Sequence, residues 1–406
     1  MDRNYTYRRS GGPVRRPSRH KRPPWILWIL IATILVGLVV FLITRFFREN
    51  STENPNENQN FSSQLYTPNT QTESIEPVSN NPIETPIPQT DIASLPQQRN
   101  PDSIPEDNGS LMVVDGIGYE YYNFSEQTTN EYITTIARAR DSLPSTVTIY
   151  NIVVPTSIDI MLSGNYLDQN QVNSSDQKKA IDNYILPSIN AISPDVRTVP
   201  VFDALRRHCN ENIYFNTDRT WTQLGAYYAY VEFCKAKGIS AIDLEQFEQK
   251  EYEGFLGGFY SITGDLNMAS SSDTVNAYIS SANTSLTFTD NDGNINENWP
   301  IISDGSSYNS SWLYLIFAAG DQPYKVLQNS DLNDGSACVV VQESFGNFFI
   351  PFLSSHYQYV YVVDYTLYDG NLVDLVSEHS ASDVIIINNI IATSTSSAVE
   401  DIKKLF

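Results

Sequence analysis

Cysteine is scarce. Cys209, Cys234 and Cys338 are the only three in 406 residues, which excludes the dense, even set that frames a disulfide-stapled secreted module. Cys338 lies in the apolar run Ala337 to Val341, a setting for a buried small hydrophobe, while Cys209 and Cys234 leave a single bridge open. Histidine is nearly as rare, with four in the chain, and no His or Cys spacing matches a zinc site. There is no glycine-rich phosphate loop and no internal repeat, so the sequence calls for no metal and no cofactor. Positive charge is also short: 25 Lys and Arg face 47 Asp and Glu, for a net charge of −22. Phosphate binding needs clustered Lys and Arg, so nucleic acid is excluded as a partner of the acidic bulk of the chain.

Long apolar runs are absent with one exception. Trp25 to Thr44 reads WILWILIATILVGLVVFLIT without a charge. About twenty residues at 1.5 Å each span the roughly 30 Å hydrocarbon core of a bilayer. The run is longer than the roughly 7–15-residue apolar region of a cleaved signal and ends in Thr-Arg-Phe-Phe-Arg, which reads as an uncleaved anchor. Arg3, Arg8, Arg9, Arg15, Arg16, Arg19, Lys21 and Arg22 precede it, and only Arg45 and Arg48 follow closely. The positive-inside rule places residues 1–24 in the cytoplasm, the span at 25–44 in the lipid bilayer and the rest outside the cell. Residues 45–108 are rich in Asn, Gln, Ser, Thr and Pro and poor in large apolar side chains. Such a stretch cannot bury enough surface to offset its ordering entropy and reads as a disordered linker.

Residues 109–406 suffice for one large domain. Short apolar, β-branched runs alternate with amphipathic ones, the pattern of an α/β fold built on a parallel sheet with helices on both faces. Strands are expected at Leu111 to Val114, Val147 to Val154, Val199 to Phe202, Val339 to Gln342, Tyr359 to Val363 and Val384 to Ile387. Helices are expected from a Ser125 cap to Ser142, over Gln177 to Ile192 with a break near Pro187, and from Thr220 to Gly238. Between Glu251 and Val326, Gly, Ser, Asn and Asp are frequent. The stretch reads as a β-rich insertion with strands at Val275 to Ile279, Leu286 to Thr289 and Trp312 to Phe317.

Two stretches could carry chemistry. In Ala337 to Leu353 an apolar strand ends at Glu343, a turn presents Ser344, and a helical segment follows Gly346. That places a serine hydroxyl at the carboxyl end of a sheet, next to a helix N-terminus whose N–H groups suit an oxyanion. The plainer reading is that Ser344 caps the helix. In Ile213 to Tyr230 a strand runs through a polar turn into a helix, with Thr217 and Asp218 as candidate caps.

Together these stretches resemble the DHHW family of bacterial proteins, itself similar to SGNH-type hydrolases and to alginate O-acetylation proteins. The resemblance rests on Tyr214, Thr217, Asp218, Trp221, Thr222, Leu224, Gly225, Ala226, Tyr227 and Tyr228. It rests also on Ser344, Phe345, Gly346, Asn347, Pro351, Phe352 and Leu353, with weaker echoes at Val154-Pro155-Thr156, Gly254-Phe255-Leu256-Gly257 and Val362-Val363-Asp364. It implies an SGNH-like domain and acyl transfer or ester hydrolysis, with Ser344 as nucleophile, a histidine base two residues after Asp218, and Asp218 orienting that base. The sequence departs from the pattern where it matters most. The motif reads Asp218-Arg219-Thr220-Trp221, so Thr220 stands where the base belongs, and a threonine hydroxyl does not accept a proton at neutral pH. Glu343 replaces the aspartate before the serine, and Tyr365-Thr366 follows Asp364 where relatives have Pro-Arg. His208, His356 and His379 are the candidates for a substitute base. The resemblance therefore implies a catalytically degenerate envelope domain that binds cell-surface polysaccharide or envelope proteins through Arg219, Trp221 and Asn347. The alternative is an active serine esterase or O-acetyltransferase.

Overall fold

The structure, a computed structural model, describes residues 102–406. The expected tail at 1–24, the span at 25–44 and the linker up to residue 101 lie outside the described residues. Among the described residues, no helix is long and apolar enough to cross a membrane.

An eight-stranded mixed sheet organises the domain. Its strands are β4 (Thr148–Val154), β5 (Val196–Thr198), β8 (Thr284–Thr289), β9 (Ile295–Trp299), β10 (Tyr324–Asn329), β11 (Ala337–Gln342), β12 (Tyr359–Asp364) and β13 (Asp383–Asn389), in the order β5-β4-β13-β11-β12-β10-β8-β9. Two smaller sheets stand apart from it. One joins β1 (Glu106–Asp107), β2 (Leu111–Val114) and β3 (Ile117–Glu120); the other pairs β6 (Glu248–Phe255) with β7 (Asp273–Ile279). Strands β5, β4, β13, β11 and β12 run parallel. Every residue of β11 and of β13 is buried, which requires both faces of the sheet to be covered there and explains the unbroken apolar runs in the sequence.

Helix α1 (Glu126–Ser142) begins as its sequence dictates, with the Ser125 hydroxyl accepting from the Thr128 N–H, and buries Tyr132, Ile133, Ile136 and Ala139. Helix α2 (Gln223–Lys237) is capped by Thr222, whose hydroxyl accepts from Gly225 N–H. It ends at Gly238, where φ of +80° is a left-handed conformation that glycine adopts without a Cβ penalty. Helix α3 (Gly258–Thr263) is short, and α4 (Gly346–Leu353) is buried throughout. Helices α5 (Leu372–Glu378) and α6 (Ser396–Lys404) complete the chain. Helix α2 packs on α4 through Tyr230 and Phe352, whose rings stack at 5.2 Å.

Four expectations need correction. The sheet is mixed rather than parallel, because β8, β9 and β10 add antiparallel strands to its edge. The stretch read as a β-rich insertion supplies β8, β9 and the start of β10 to that edge. Trp312 to Phe317 is not a strand: Ser310–Ile316 forms a 3-10 helix, with the Asn309 side chain accepting from Ser311 N–H at its start. The strand expected at Val199 to Phe202 lies earlier, at Val196–Thr198, and Phe202 opens the helix Phe202–Arg207. Pro187 breaks nothing. It occupies the first turn of Leu186–Ile192, where a missing N–H is harmless, and the irregularity is a π-helical turn at Ile181–Ile185 just before it. Cys209, Cys234 and Cys338 are all buried and free, so the bridge left open between the first two does not form.

Candidate functional site

The site gathers at the carboxyl ends of β11, β12 and β13. One wall is the turn between Tyr214 and Trp221, which are joined by an antiparallel bridge. Asp273 at the start of β7 secures that turn, accepting from the N–H groups of Asn216 and Thr217 at 2.9 and 2.8 Å and from the Thr217 hydroxyl at 2.7 Å. Asp218 then accepts from Thr220 N–H (3.0 Å), from the Thr220 hydroxyl (2.9 Å) and, through its other oxygen, from Gly258 N–H at the start of α3 (2.7 Å). Gly257 is needed there, because a Cβ on it would sit 2.4 Å from the Asp218 carboxylate. Neither Thr217 nor Asp218 caps α2, so the capping reading of this turn passes to Thr222.

Trp221, expected to line a ligand site, is fully buried, and its indole N–H donates to the Phe345 carbonyl at 2.9 Å. It ties this turn to the Ser344 turn rather than facing solvent. Arg219 does face solvent: its side chain is 52% exposed and pairs with Glu120 at the end of β3, Nη2 to Oε1 at 2.5 Å and Nε to Oε2 at 3.3 Å. Burial pushes the Glu120 carboxyl up despite that guanidinium.

The opposite wall is the turn from Gln342 to Asn347. Phe345, not Ser344, holds the cap position of α4, and it makes no side-chain cap bond, so the helix-cap reading of Ser344 fails. The Ser344 hydroxyl instead donates to Asp321 Oδ2 at 2.8 Å. The other Asp321 oxygen accepts from the Asn347 amide at 2.6 Å. Asn347 Oδ1 in turn accepts from Lys325 Nζ at 2.5 Å and from Gln342 Nε2 at 2.7 Å. Asn347, expected as a ligand contact, is thus 1% exposed and committed to this network. Lys325 is completely buried, also donates to the Gly320 carbonyl at 2.7 Å, and is pushed down to about 8 by burial, against the pull of Asp321 and Asp364.

Asp321 reaches this position through unusual backbone. Ala318, Ala319 and Gly320 precede it with φ of +46°, +58° and +67°. Consecutive left-handed residues that carry a Cβ cost on the order of 1–2 kcal/mol each and persist only where the surroundings fix them. Here Ala318 N–H donates to the Ile301 carbonyl at 2.7 Å, and the Gly320 carbonyl is gripped by Lys325.

Glu343 accepts from Asn389 N–H at 2.8 Å, and its carboxyl is pushed up to about 7, first by burial and further by Asp321, with Arg219 and the Asn389 N–H opposing. Tyr314 on the 3-10 helix, whose ring lies 6.5 Å from that of Phe255, has its hydroxyl pushed up by burial and further by the carboxylates of Asp321 and Asp218.

No described histidine serves this site. His208 bonds Glu211 at 2.6 Å and stacks on Tyr228. His356 bonds the Tyr230 hydroxyl at 2.6 Å, with the Cys234 thiol at 3.8 Å. His379 stacks on Tyr361 at 3.8 Å. None of the bonds and ring contacts of these three candidates goes to Ser344 or Asp218. The groups that sequence reasoning missed are Asp321, Lys325, Tyr314 and Glu120. All four lie far along the chain from the serine motif, and only the approach to Pro323 through Ala-Ala-Gly-Asp hinted at a turn. Among the described residues, no group of three or more His, Cys, Asp or Glu side chains is arranged to hold a metal ion.

The fold is a mixed α/β domain with a large central sheet, a serine just after β11 and a Thr-Asp-x-x-Trp-Thr turn tied to it by the Trp221–Phe345 hydrogen bond. The chain belongs to the DHHW family, whose model, described as DHHW protein, matches residues 97–363. Among solved structures, a DHHW family protein from Eubacterium siraeum is 25% identical, with a TM-score of 0.65 over 74% of this chain and 97% of that one. Bacillus cereus PatB1, solved with a sulfonyl adduct, is 15% identical with a TM-score of 0.55, covering 72% of this chain and 97% of its own. The O-acetyltransferase domain of Pseudomonas putida AlgJ is more distant, at 11% identity and a TM-score of 0.39 over 74% of this chain and 99% of that one. No curated protein matches the chain in sequence.

Proposed function

We propose that this chain is a membrane-anchored, extracytoplasmic DHHW-family protein of the cell envelope that binds cell-surface polysaccharide in the cleft between the Asp218 and Ser344 turns, with ester turnover far below that of a serine–histidine enzyme. The observation that carries this reading is at the base position. Thr220 stands there and spends its own hydroxyl on Asp218, and the bonds and ring contacts of His208, His356 and His379 go to Glu211, Tyr228, Tyr230, Cys234 and Tyr361 instead of Ser344. Loss of a triad member removes most of the rate and leaves binding intact. Arg219, Asp218, Glu343 and Tyr314 supply the hydrogen-bonding groups that sugar hydroxyls need. The net acidic lining favours a neutral or cationic glycan over a phosphate-rich one. The apolar run Trp25 to Thr44 supports anchoring, and the flanking positive charge supports the orientation.

The test pairs turnover with capture. The purified domain and its Ser344→Ala variant are compared on p-nitrophenyl acetate and on immobilised envelope polysaccharide. Retention on the glycan by both, with Arg219→Ala retained less, supports the reading. Turnover by the native domain at rates typical of esterases, lost in Ser344→Ala, would replace it with the second reading, an active esterase or O-acetyltransferase. That second reading is favoured by the Ser344–Asp321 hydrogen bond.

A further inference from the structure

We propose that Asp321 is the proton acceptor of Ser344, so that the serine forms a covalent acyl adduct through a serine–carboxylate pair in the absence of any histidine. The inference goes beyond glycan binding and does not rest on it. Three observations converge. The Ser344 hydroxyl donates directly to Asp321 Oδ2 at 2.8 Å, the geometry a general base requires of its nucleophile. The carboxylate is aimed by a built support: its other oxygen takes the Asn347 amide, and Asn347 is held by Gln342 and by the buried Lys325. Lys325 also clamps the carbonyl of Gly320, next to Asp321. Finally, the three residues before Asp321 are all left-handed, two of them alanines, and strain of that kind collects where a side chain must be placed exactly for function. A surface aspartate that merely filled space would need none of this.

The step balances within the chain. Ser344 Oγ attacks the carbonyl carbon of an activated ester. The Oγ–C bond forms and its proton passes to Asp321 Oδ2. The bond from carbonyl carbon to leaving oxygen breaks, releasing nitrophenolate when the donor is p-nitrophenyl acetate, and the proton then leaves Asp321 for solvent. No oxidant, metal or second substrate is required.

The experiment follows the rate of the acetyl adduct on Ser344 by intact-protein and peptide mass spectrometry, with p-nitrophenyl acetate in excess. The native domain is expected to acquire one acetyl group that Ser344→Ala lacks. Asp321→Asn keeps the shape and removes the base, and should slow adduct formation by about 10²-fold, the lower range for loss of a general base. A thiol is nucleophilic without such help, so in a Ser344→Cys background the same Asp321→Asn change should alter the rate by less than about threefold. That second comparison guards against a variant that is slow only because it folds poorly, since misfolding would slow both backgrounds alike. Equal slowing in both backgrounds, or an adduct forming as fast in Asp321→Asn as in the native chain, overturns the proposal. Absence of any Ser344 adduct in the native domain also overturns it, and leaves the polysaccharide-binding reading untouched, since that is read on the immobilised glycan.

Discussion

The two turns joined by the Trp221–Phe345 hydrogen bond differ in what they carry. The Asp218 turn keeps its packing and carries no histidine. Tyr214 still bridges Trp221, Trp221 still reaches the Phe345 carbonyl, and Gly257 still leaves room for the Asp218 carboxylate, yet arginine and threonine fill the positions of the two histidines. The Ser344 turn keeps its serine and pairs it with a carboxylate. Its hydroxyl bonds a carboxylate from the Ala318 to Asp321 segment, which belongs to neither motif. The contrast teaches that buried aromatic packing and backbone hydrogen bonds can hold two turns together while the polar side chains they carry differ.

Four changes would break or sharpen that contrast. The largest effect is expected from Trp221→Ala. It removes a fully buried indole and its hydrogen bond between the turns, and should destabilise the domain by about 3–5 kcal/mol in urea titration. A loss below 1 kcal/mol would mean that the turns do not depend on each other. Next, Thr220→His returns an imidazole beside Asp218. If the scaffold is intact, Ser344-dependent turnover of p-nitrophenyl acetate should rise by about 10²-fold, the lower range for a general base. No gain would show that the Asp218 turn has lost more than a side chain.

Glu343→Gln should change the pH dependence of stability. The native carboxyl is pushed up to about 7 against an ordinary value of 4.5. Between those values the folded chain binds the proton and the unfolded chain does not, so Glu343 makes stability fall as pH rises from about 4.5 to 7. At about 1.4 kcal/mol per unit and with partial solvent access, the difference between variant and native chain over that window is on the order of 2 kcal/mol, read from urea midpoints at pH 4.5 and pH 7.5. Parallel curves would show that Glu343 is no more buried than a surface glutamate. The smallest effect on stability is expected from Arg219→Ala. Its pair with Glu120 is half exposed on the arginine side and is worth no more than about 1 kcal/mol. Its retention on polysaccharide should nevertheless drop measurably, and unchanged retention would remove Arg219 from the binding surface.

The strands β2, β4, β11, β12 and β13, the caps at Ser125 and Gly238, and the placement of Ser344 at a strand end were all determined by the sequence itself. Each depends on local pattern: apolar β-branched runs, a hydroxyl before a helix, a glycine after one. The threonine at position 220 was equally legible, since it is a one-position statement. Tertiary structure alone decided the rest. It turned Ser310–Ile316 into a 3-10 helix that buries Leu313 and Ile316, and it folded the Gly-rich stretch into the edge of the main sheet. It also brought Asp321, Lys325 and Asn347 together behind Ser344, a network whose members are separated by up to 26 residues and joined only by side-chain hydrogen bonds. Periodicity and propensity report what one segment wants of its own backbone. Which carboxylate reaches a given hydroxyl depends on how strands β10 and β11 are placed in the sheet, and no single segment encodes that.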